Sequence, residues 1–487
     1  MPPRLSKSRF VAGTQCHKLL WWTVHEPNAI ELQPDRVLQD LFDQGHQVGE
    51  AARARFPGGV LIDLPHWERE ARAAATGEAI EAGAPVVFEA SFVADGTFVA
   101  VDVLEAVGGG HRLIEVKSSS SQKPEHVADV AIQTHVAEAS GVRVVAAEVM
   151  HLDRGFRHPD RGDLFARTDV TAPVRAMLPE VPDEIERQRV ALEGSLPEVP
   201  IGGHCFEPRA CPFMARCWPP DPDHIGKLNG VGPKKTVAYL AQGIHRIGDL
   251  PAGTKLNFTQ RRQLAAMAED RMVVEPTLTR ELEPFTGRLG FLDFETIMRA
   301  IPVWPDMAPW QQAAAQFSYH ERQPDGRYTH AEHLAEGPDD ARPPLAEAMV
   351  RATANADRVV TYTSFEKTRI RELQAAVPHL TAGLAALEAK LLDLHPVVKN
   401  CVYHPAFGGS FSLKDILTPL VPGLTYTDLV IVDGRVASVE IARLLFVADR
   451  IPAAERDRVR RDLLAYCERD TWAMVRLVER LKELASG

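Results

Sequence analysis

The stretch Thr97-Phe-Val-Ala-Val-Asp-Val-Leu-Glu-Ala106, with its return His111-Arg-Leu-Ile-Glu-Val-Lys-Ser118, decides the fold of the N-terminal half. Both runs are largely apolar, and Gly108-Gly-Gly110 between them supplies a turn, so the segment reads as a β-hairpin. Side chains alternate along a strand. Glu115 and Lys117 therefore share one face of the return strand, while Ile114 and Val116 take the other. Asp102 lies in the neighbouring strand between Val101 and Val103, where a lone carboxylate is costly unless it is paired or holds a cation. Brought together, Asp102, Glu115 and Lys117 can bind a hard divalent cation through oxygen and leave an ammonium near an attacked phosphate.

Asp102, twelve intervening residues and Glu115-Val116-Lys117 resemble the core of PD-(D/E)XK nucleases, in their RecB-like branch. The resemblance implies an α/β domain in which Asp102 and Glu115 chelate Mg²⁺ or Mn²⁺ and Lys117 positions the attacking water or stabilises developing charge. Gln133, in the helical run Ala131-Ile-Gln-Thr-His-Val136, matches that branch's glutamine motif. The family's upstream Gly-x-x-x-His-Glu helix is matched by Gly45-His-Gln-Val-Gly-Glu50, with Gly49 where the histidine belongs. His46 lies three residues earlier on the same helical face, so His46 or Glu50 is the expected further metal contact. Without the resemblance, the same residues describe an ordinary hairpin with a surface Glu–Lys pair.

Cys205, Cys211 and Cys217 fall within thirteen residues of the run Ile201-Gly-Gly-His-Cys-Phe-Glu-Pro-Arg-Ala-Cys-Pro-Phe-Met-Ala-Arg-Cys-Trp-Pro-Pro220. In a reducing compartment such a group reads as a metal or iron–sulfur site before it reads as disulfides. The spacing C-x5-C-x5-C is wider than structural zinc usually shows. Cys16, in Leu5-Ser-Lys-Ser-Arg-Phe-Val-Ala-Gly-Thr-Gln-Cys-His-Lys-Leu-Leu-Trp21, is the candidate fourth ligand. One N-terminal and three C-terminal cysteines around a RecB-like core resemble the iron–sulfur exonucleases: the AddB-type helicase-nucleases and the CRISPR-associated adaptation exonucleases. The resemblance implies a [4Fe–4S] cluster on Cys16, Cys205, Cys211 and Cys217 that staples the ends of the domain. A four-thiolate zinc site and unrelated buried cysteines are the alternatives. Cys401 and Cys467 fit no ligand pattern and read as core residues.

Downstream, Ile225-Gly-Lys-Leu-Asn-Gly-Val-Gly-Pro-Lys-Lys-Thr-Val-Ala-Tyr-Leu240 resembles a helix-hairpin-helix motif. Gly230 and Gly232 permit a tight turn whose N–H groups can meet a phosphate. Pro233 suits the first helical position, and Lys234 and Lys235 add charge beside the turn. Such a motif holds nucleic-acid backbone without reading sequence. A Gly-Pro helix break with two solvated lysines is the plainer alternative.

The C-terminal zone carries a second set of acids. In Leu289-Gly-Phe-Leu-Asp-Phe-Glu-Thr296, Asp293 and Glu295 lie on one face of a strand. In Leu463-Leu-Ala-Tyr-Cys-Glu-Arg-Asp-Thr-Trp-Ala-Met-Val-Arg-Leu477, a helix by its apolar spacing, Tyr466 and Asp470 share a face. The combination resembles the DEDD 3′–5′ exonucleases of the DnaQ-like, RNase H-fold superfamily, in its tyrosine subclass. The resemblance implies two metals held by Asp293, Glu295, Asp470 and a fourth acid, with Tyr466 positioning the water. Glu366, in Thr361-Tyr-Thr-Ser-Phe-Glu-Lys-Thr-Arg-Ile370, is the match for that fourth acid, with a glutamate where the family has aspartate. Asp393 is a fallback that fits better as a structural residue. Gly408-Gly-Ser-Phe-Ser-Leu-Lys414 reads as a loop into a helix, with Lys414 placed to touch substrate phosphate.

The whole chain of 487 residues is thus expected to hold three zones: 1–220, a RecB-like domain with an iron–sulfur cluster; 221–283, a helix-hairpin-helix connector; and 284–487, an RNase H-like DEDD domain. This order matches a bacterial family of RecB-type nucleases. A net charge of −11 argues against a general polyanion binder, yet carboxylates that hold cations contribute to it and a local basic groove still binds phosphate. No apolar run is long enough to span a membrane, and the basic start Met1-Pro-Pro-Arg4 precedes no secretory h-region, so a cytoplasmic location is expected. The expected activity is metal-dependent hydrolysis of nucleic acid, DNA before RNA. The rivals are a binding scaffold with decayed sites, for which Gly49 and Glu366 speak, and an RNA-directed exonuclease.

Overall fold

In the computed structural model, which describes residues 5–218 and 221–486, the chain divides into two units. The first comprises Met1–Pro219 and Arg299–Gln311, the second Pro220–Met298 and Gln312–Gly487. The basic start Met1–Arg4 and the expected boundary residue Pro220 lie outside the described residues.

This differs from the three expected zones in two ways. Segment 221–283 does not stand alone but belongs to the second unit. The buried Arg262 guanidinium donates to the carbonyls of Lys399 and Asn400, and Val273–Val274 pairs with Val402–Tyr403. Residues 299–311, expected in the C-terminal zone, belong to the first unit. There Arg299 Nη1 reaches Asp40 Oδ1 at 2.7 Å, Ala300 N–H donates to Gln44 Oε1 at 2.6 Å, and Trp310 Nε1–H donates to the Ser118 carbonyl at 2.5 Å.

The first unit begins with β1 (Leu5–Ser6), α1 (Lys7–Gln15), α2 (His17–His25), α3 (Arg36–Arg53), β2 (Val60–Leu61) and α4 (Arg69–Glu81). It continues through β3 (Val86–Ala94), β4 (Thr97–Val107), β5 (Gly110–Lys117), α5 (Pro124–Ala139), β6 (Val144–Leu152) and β7 (Phe165–Asp169). Helices α6 (Thr171–Met177), α7 (Val181–Glu193) and α8 (Met214–Cys217) close it. The sheet order is β2-β3-β4-β5-β6-β7, with β1 on β4. The expected hairpin is β4–β5, antiparallel from Val107 opposite Gly110 to Val103 opposite Ile114. Helix α5 then crosses over to β6, which lies parallel to β5. One face of the sheet packs Val99, Val101 and Leu113 against Val130, Ile132 and Val136 of α5. The other packs Val103, Ile114 and Met150 against Val48 and Ala52 of α3.

The second unit contains α9 (Pro233–Leu240), α10 (Phe258–Glu269), β8 (Val273–Val274), α11 (Leu278–Glu281), β9 (Leu289–Met298), β10 (Gln312–Arg322) and β11 (Tyr328–Leu334). It continues with α12 (Arg342–Ala352), β12 (Arg358–Thr361), α13 (Phe365–Ala376), α14 (Thr381–Lys390), β13 (Leu391–Asp393), α15 (His395–Cys401) and β14 (Val402–Tyr403). It ends with α16 (Leu413–Leu420), α17 (Gly434–Phe446) and α18 (Ala453–Ser486). Its main sheet runs β11-β10-β9-β12-β13: the first three strands are antiparallel, and β12 and β13 run parallel to β9. Leu292 and Phe294 face a core built with α12, α13 and α14. The alternate residues of β9 face α17 and α18. No helix among the described residues is long and apolar enough to cross a membrane.

Two glycines of this unit separate backbone strain from crowding. Gly409 and Gly423 both lie in the left-handed region, at φ +84° and +89°. A Cβ on Gly409 would sit 1.8 Å from the Lys227 carbonyl oxygen, whereas one on Gly423 meets nothing within 4 Å. Gly423→Ala should cost the left-handed penalty alone, about 1–2 kcal/mol. Gly409→Ala should add overpacking of about 1–3 kcal/mol. Thermal midpoints are expected to fall in the order wild type, Gly423→Ala, Gly409→Ala, and equal midpoints for the two variants would contradict the packing.

Candidate active sites

The β4–β5 ladder gives out where the acids begin. Beyond Val103 and Ile114, Asp102 Oδ2 accepts the Val116 N–H at 2.7 Å, so a carboxylate takes the donor that a strand carbonyl would otherwise hold. Glu115 is buried on the α5 side of the sheet. Its Oε2 accepts Gln133 Nε2–H at 2.8 Å, and its Oε1 accepts both Lys117 Nζ–H at 2.6 Å and Lys7 Nζ–H at 2.9 Å. Asp129, one helical turn before Gln133, receives a second hydrogen bond from Lys117 and lies 3.9 Å from Lys7 Nζ. Asp102, Glu115, Lys117 and Gln133 are thus brought together as expected. His46 and Glu50 are not: α3 leaves both exposed, and neither shares a hydrogen bond with this cluster among the described residues.

The charges of the cluster are uneven. Burial, then the neighbouring Glu115, pushes Asp102 up to about 7. The same two causes raise Asp129. Burial also acts to raise Glu115, but the ammoniums of Lys117 and Lys7 outweigh it and hold this carboxyl well below the usual range. Burial disfavours both ammoniums, and the carboxylates around them more than compensate.

Cys16, at the junction of α1 and α2, lines one small cavity of about 20 Å³ with Cys205, Cys211 and Cys217. None of the four is in a disulfide. Burial pushes the Cys211 thiol up to about 11, and the other three thiols add to that shift. Among the described residues, sets of three or more ligand atoms all within 4.8 Å of one another occur in the second unit alone.

In the second unit, β9 presents Asp293 and Glu295, and α18 brings Tyr466 and Asp470 over them. Carboxylate oxygens of Asp293, Glu295 and Asp470 all lie within 4.8 Å of one another. The Tyr426 hydroxyl donates to Asp470 Oδ1. Lys414 Nζ donates to the Tyr466 hydroxyl oxygen at 2.9 Å and to the Val432 carbonyl, so this lysine is engaged within the protein. Glu366, in the first turn of α13, is buried and lies outside the 4.8 Å group; its Oε2 has no hydrogen-bond partner among the described residues. Asp393 is structural, as expected: its Oδ1 accepts the N–H groups of Thr363 and His395, both at 2.9 Å. Cys467 is buried, with its sulfur 3.6 Å from Asp293 Oδ2.

Burial and then Asp470 raise Asp293 well above the carboxylate range, and burial and then Asp293 do the same to Glu295 and Glu366. Burial takes Asp470 up to about 6 against the opposing hydrogen bond from Tyr426 and the charge of Lys414. Burial, then Asp470, keeps the Tyr466 hydroxyl protonated.

At the hairpin segment, Gly230 adopts φ +72° and Gly232 precedes Pro233 at the start of α9, with Lys234 and Lys235 exposed beside it. The preceding helix is only a 3-10 turn, Ile225–Lys227. Three site residues escaped the sequence reading. Asp129 carried a usable signal, its four-residue spacing from Gln133. Lys7 and Tyr426 carried none, because each reaches its acid across a long stretch of chain.

Residues 290–412 match a family described as "Domain of unknown function (DUF2779)". No curated protein sequence matches the chain. Among solved structures, an alkaline exonuclease (LHK-Exo) from Laribacter hongkongensis is similar at 16% identity and a TM-score of 0.25, covering 40% of this chain and 90% of its own. The crystal structure of SSO0001 is similar at 12% identity and a TM-score of 0.24, covering 45% of this chain and 87% of its own.

The raised acids of the second unit set a pH dependence. Each binds a proton when folded at pH values where the unfolded chain has lost it. Their contribution to stability is therefore fully present below about pH 4 and is lost as pH rises through the folded values, about 6 for Asp470. In EDTA the thermal midpoint should fall from about pH 5 to about pH 8, and Asp470→Asn should make that fall shallower. Parallel slopes for the two proteins would contradict this assignment.

Proposed function

We propose that the chain is a metal-dependent nuclease with two hydrolytic sites, one in each unit, acting on nucleic acid with DNA as the favoured polymer. The observation that carries the reading is the crowding of half-buried Asp293 with buried Glu295 and Asp470 within 4.8 Å, with no ion pair among the described residues. Such a group is unstable as three carboxylates and is suited to cations. The unpartnered Glu366 Oε2 adds a further hard oxygen, so the donor set fits Mg²⁺ or Mn²⁺. The strand order β11-β10-β9-β12-β13, with acids on the central β9 and on α18, supports a DnaQ-like DEDD domain of the RNase H fold. The β3–β4–β5–α5–β6 sequence, with Asp102, Glu115, Lys117 and Gln133, supports a RecB-like PD-(D/E)XK domain for the first unit.

In the second unit the ligands would be Asp293, Glu295, Asp470 and Glu366. Bound cations supply Lewis acidity to the phosphate and lower the pKa of a bound water. Tyr466, held by Lys414, keeps its proton and orients the attacking water through its hydroxyl. In the first unit Asp102 and Glu115 would hold the cation, Gln133 fixes the Glu115 carboxylate, and Lys117 carries the positive charge set near the phosphate. The Gly230–Gly232 turn and Lys234 and Lys235 serve as a backbone-phosphate contact.

The four cysteines are proposed to hold a [4Fe–4S] cluster with a structural role. They line one cavity, and one N-terminal and three later cysteines flank the nuclease-like core, the arrangement that favours the cluster over a four-thiolate zinc site. Anaerobically purified protein should contain iron and acid-labile sulfide, and stoichiometric zinc without iron would overturn the assignment.

The activity is tested by digesting end-labelled single- and double-stranded DNA and RNA with Mg²⁺ or Mn²⁺. In a Lys117→Ala background, Tyr466→Phe should slow the remaining cleavage by about 10²–10⁴-fold while metal binding persists. Asp293→Asn combined with Lys117→Ala should silence the chain. Wild-type cleavage by that double variant would overturn the assignment of both sites, and no metal-dependent cleavage by the wild type would favour a binding scaffold.

A further inference from the structure

We propose that Lys7 is a second active-site lysine of the first unit, an internal cation that neutralises Glu115 and Asp129 in the metal-free site and turns to the substrate phosphate when a divalent cation takes its place. The proposal rests on the nuclease reading of that unit.

Lys7 is placed with care by its surroundings. Leu5 and Ser6 pair in parallel with Thr97 and Phe98 of β4, the strand that carries Asp102. Ser6 Oγ accepts the Arg9 N–H and caps α1, of which Lys7 is the first residue. Gln188 Nε2–H holds the Phe10 carbonyl at 2.9 Å, and a Cβ on Gly13 would lie 2.2 Å from Gln188 Cδ, so α1 sits tightly against α7.

The two ammoniums are not equivalent. Both donate to the same oxygen, Glu115 Oε1, and like charges sharing one acceptor repel. Lys117 has a second direct partner in Asp129, whereas Lys7 stands 3.9 Å from that carboxylate. A cation chelated by Asp102 and Glu115 needs the lone pairs of Glu115. Lys7 makes the longer bond to Glu115 Oε1, 2.9 Å against 2.6 Å, and breaks one direct bond on leaving where Lys117 would break two, so Lys7 is the ammonium that a cation displaces. Its side chain is 25% exposed, as open to an incoming phosphate as that of Lys117 at 24%.

The test uses full-length protein with the second site removed by Asp293→Asn and Asp470→Asn. Mn²⁺ affinity is measured at about pH 8, beside single-turnover cleavage of labelled DNA, for Lys7→Met, Lys7→Gln and Lys7→Arg, with Lys117→Ala as reference. Removing the competing charge should tighten Mn²⁺ binding by on the order of tenfold while cleavage slows by at least about tenfold. Lys7→Arg should restore both toward wild type. Lys7→Gln keeps a donor for Glu115 without charge and gives the reading should Lys7→Met not fold. Unchanged or weaker Mn²⁺ binding in Lys7→Met and Lys7→Gln, with Lys117→Ala inactive, would make Lys7 a merely structural residue and overturn the proposal. An active Lys117→Ala with no Mn²⁺ bound by the parent would instead overturn the nuclease reading of this unit, and the proposal with it.

Discussion

Carboxylates taken out of water and set against one another are the constraint on which both units turn. A buried acid must be neutralised by a proton, an ammonium or a metal, since its desolvation is not offset otherwise. The two units meet this demand differently. In the first, Lys7 and Lys117 keep Glu115 charged, and the excess negative charge falls on Asp102 and Asp129, which are pushed up. In the second, Asp293, Glu295 and Glu366 stay at raised values, and hydroxyl donors such as Tyr426 serve where ammoniums serve in the first. A site already balanced by ammoniums is structurally complete without metal. A site balanced by protons gains most from a cation.

Each sheet is arranged to make that crowding tolerable. The acids sit where regular pairing or packing changes. Asp102 stands just past the end of the β4–β5 ladder and takes over a strand N–H. Asp293 and Glu295 alternate with Leu292 and Phe294, so one strand anchors a hydrophobic core on one face and carries the acids on the other. Substitutions on the apolar face therefore reach the site through the same backbone.

The strand-borne half of each site was legible in the sequence because period-two alternation assigns faces without a structure. Asp102, Glu115, Lys117, Asp293 and Glu295 were readable in this way, and the Tyr466–Asp470 pair followed from helical spacing. Residues that reach a site across sequence were not. Lys7 lies 108 positions from Glu115, and Tyr426 lies 44 from Asp470, distances over which no periodicity carries information. His46 and Glu50 show the reverse failure: a motif match placed them at the site, and the amphipathic register of α3 turned them to solvent. The segment 299–311 was misassigned for a similar reason. Its ties to Asp40, Gln44 and Ser118 are side-chain and backbone contacts with no local signature.

Helix α1 joins the two chemical features of the first unit. It starts at Lys7, beside Glu115, and ends next to Cys16, which lines the cavity shared with the other three cysteines. With nine residues it is too short to be stable by itself. Its buried apolar surface is small: Phe10 and Ala12. What holds it are polar ties, from Gln188 to the Phe10 carbonyl and from Gln15 to the carbonyls of His204 and Arg209. The Gln15 ties run to the segment that carries Cys205 and Cys211. A group bridging Cys16 to those cysteines would fix the C-terminal end of α1 to that segment, and the helix would carry the constraint to Lys7. Such a bridge would act at a distance, by fixing the register of the helix whose first residue meets the acids.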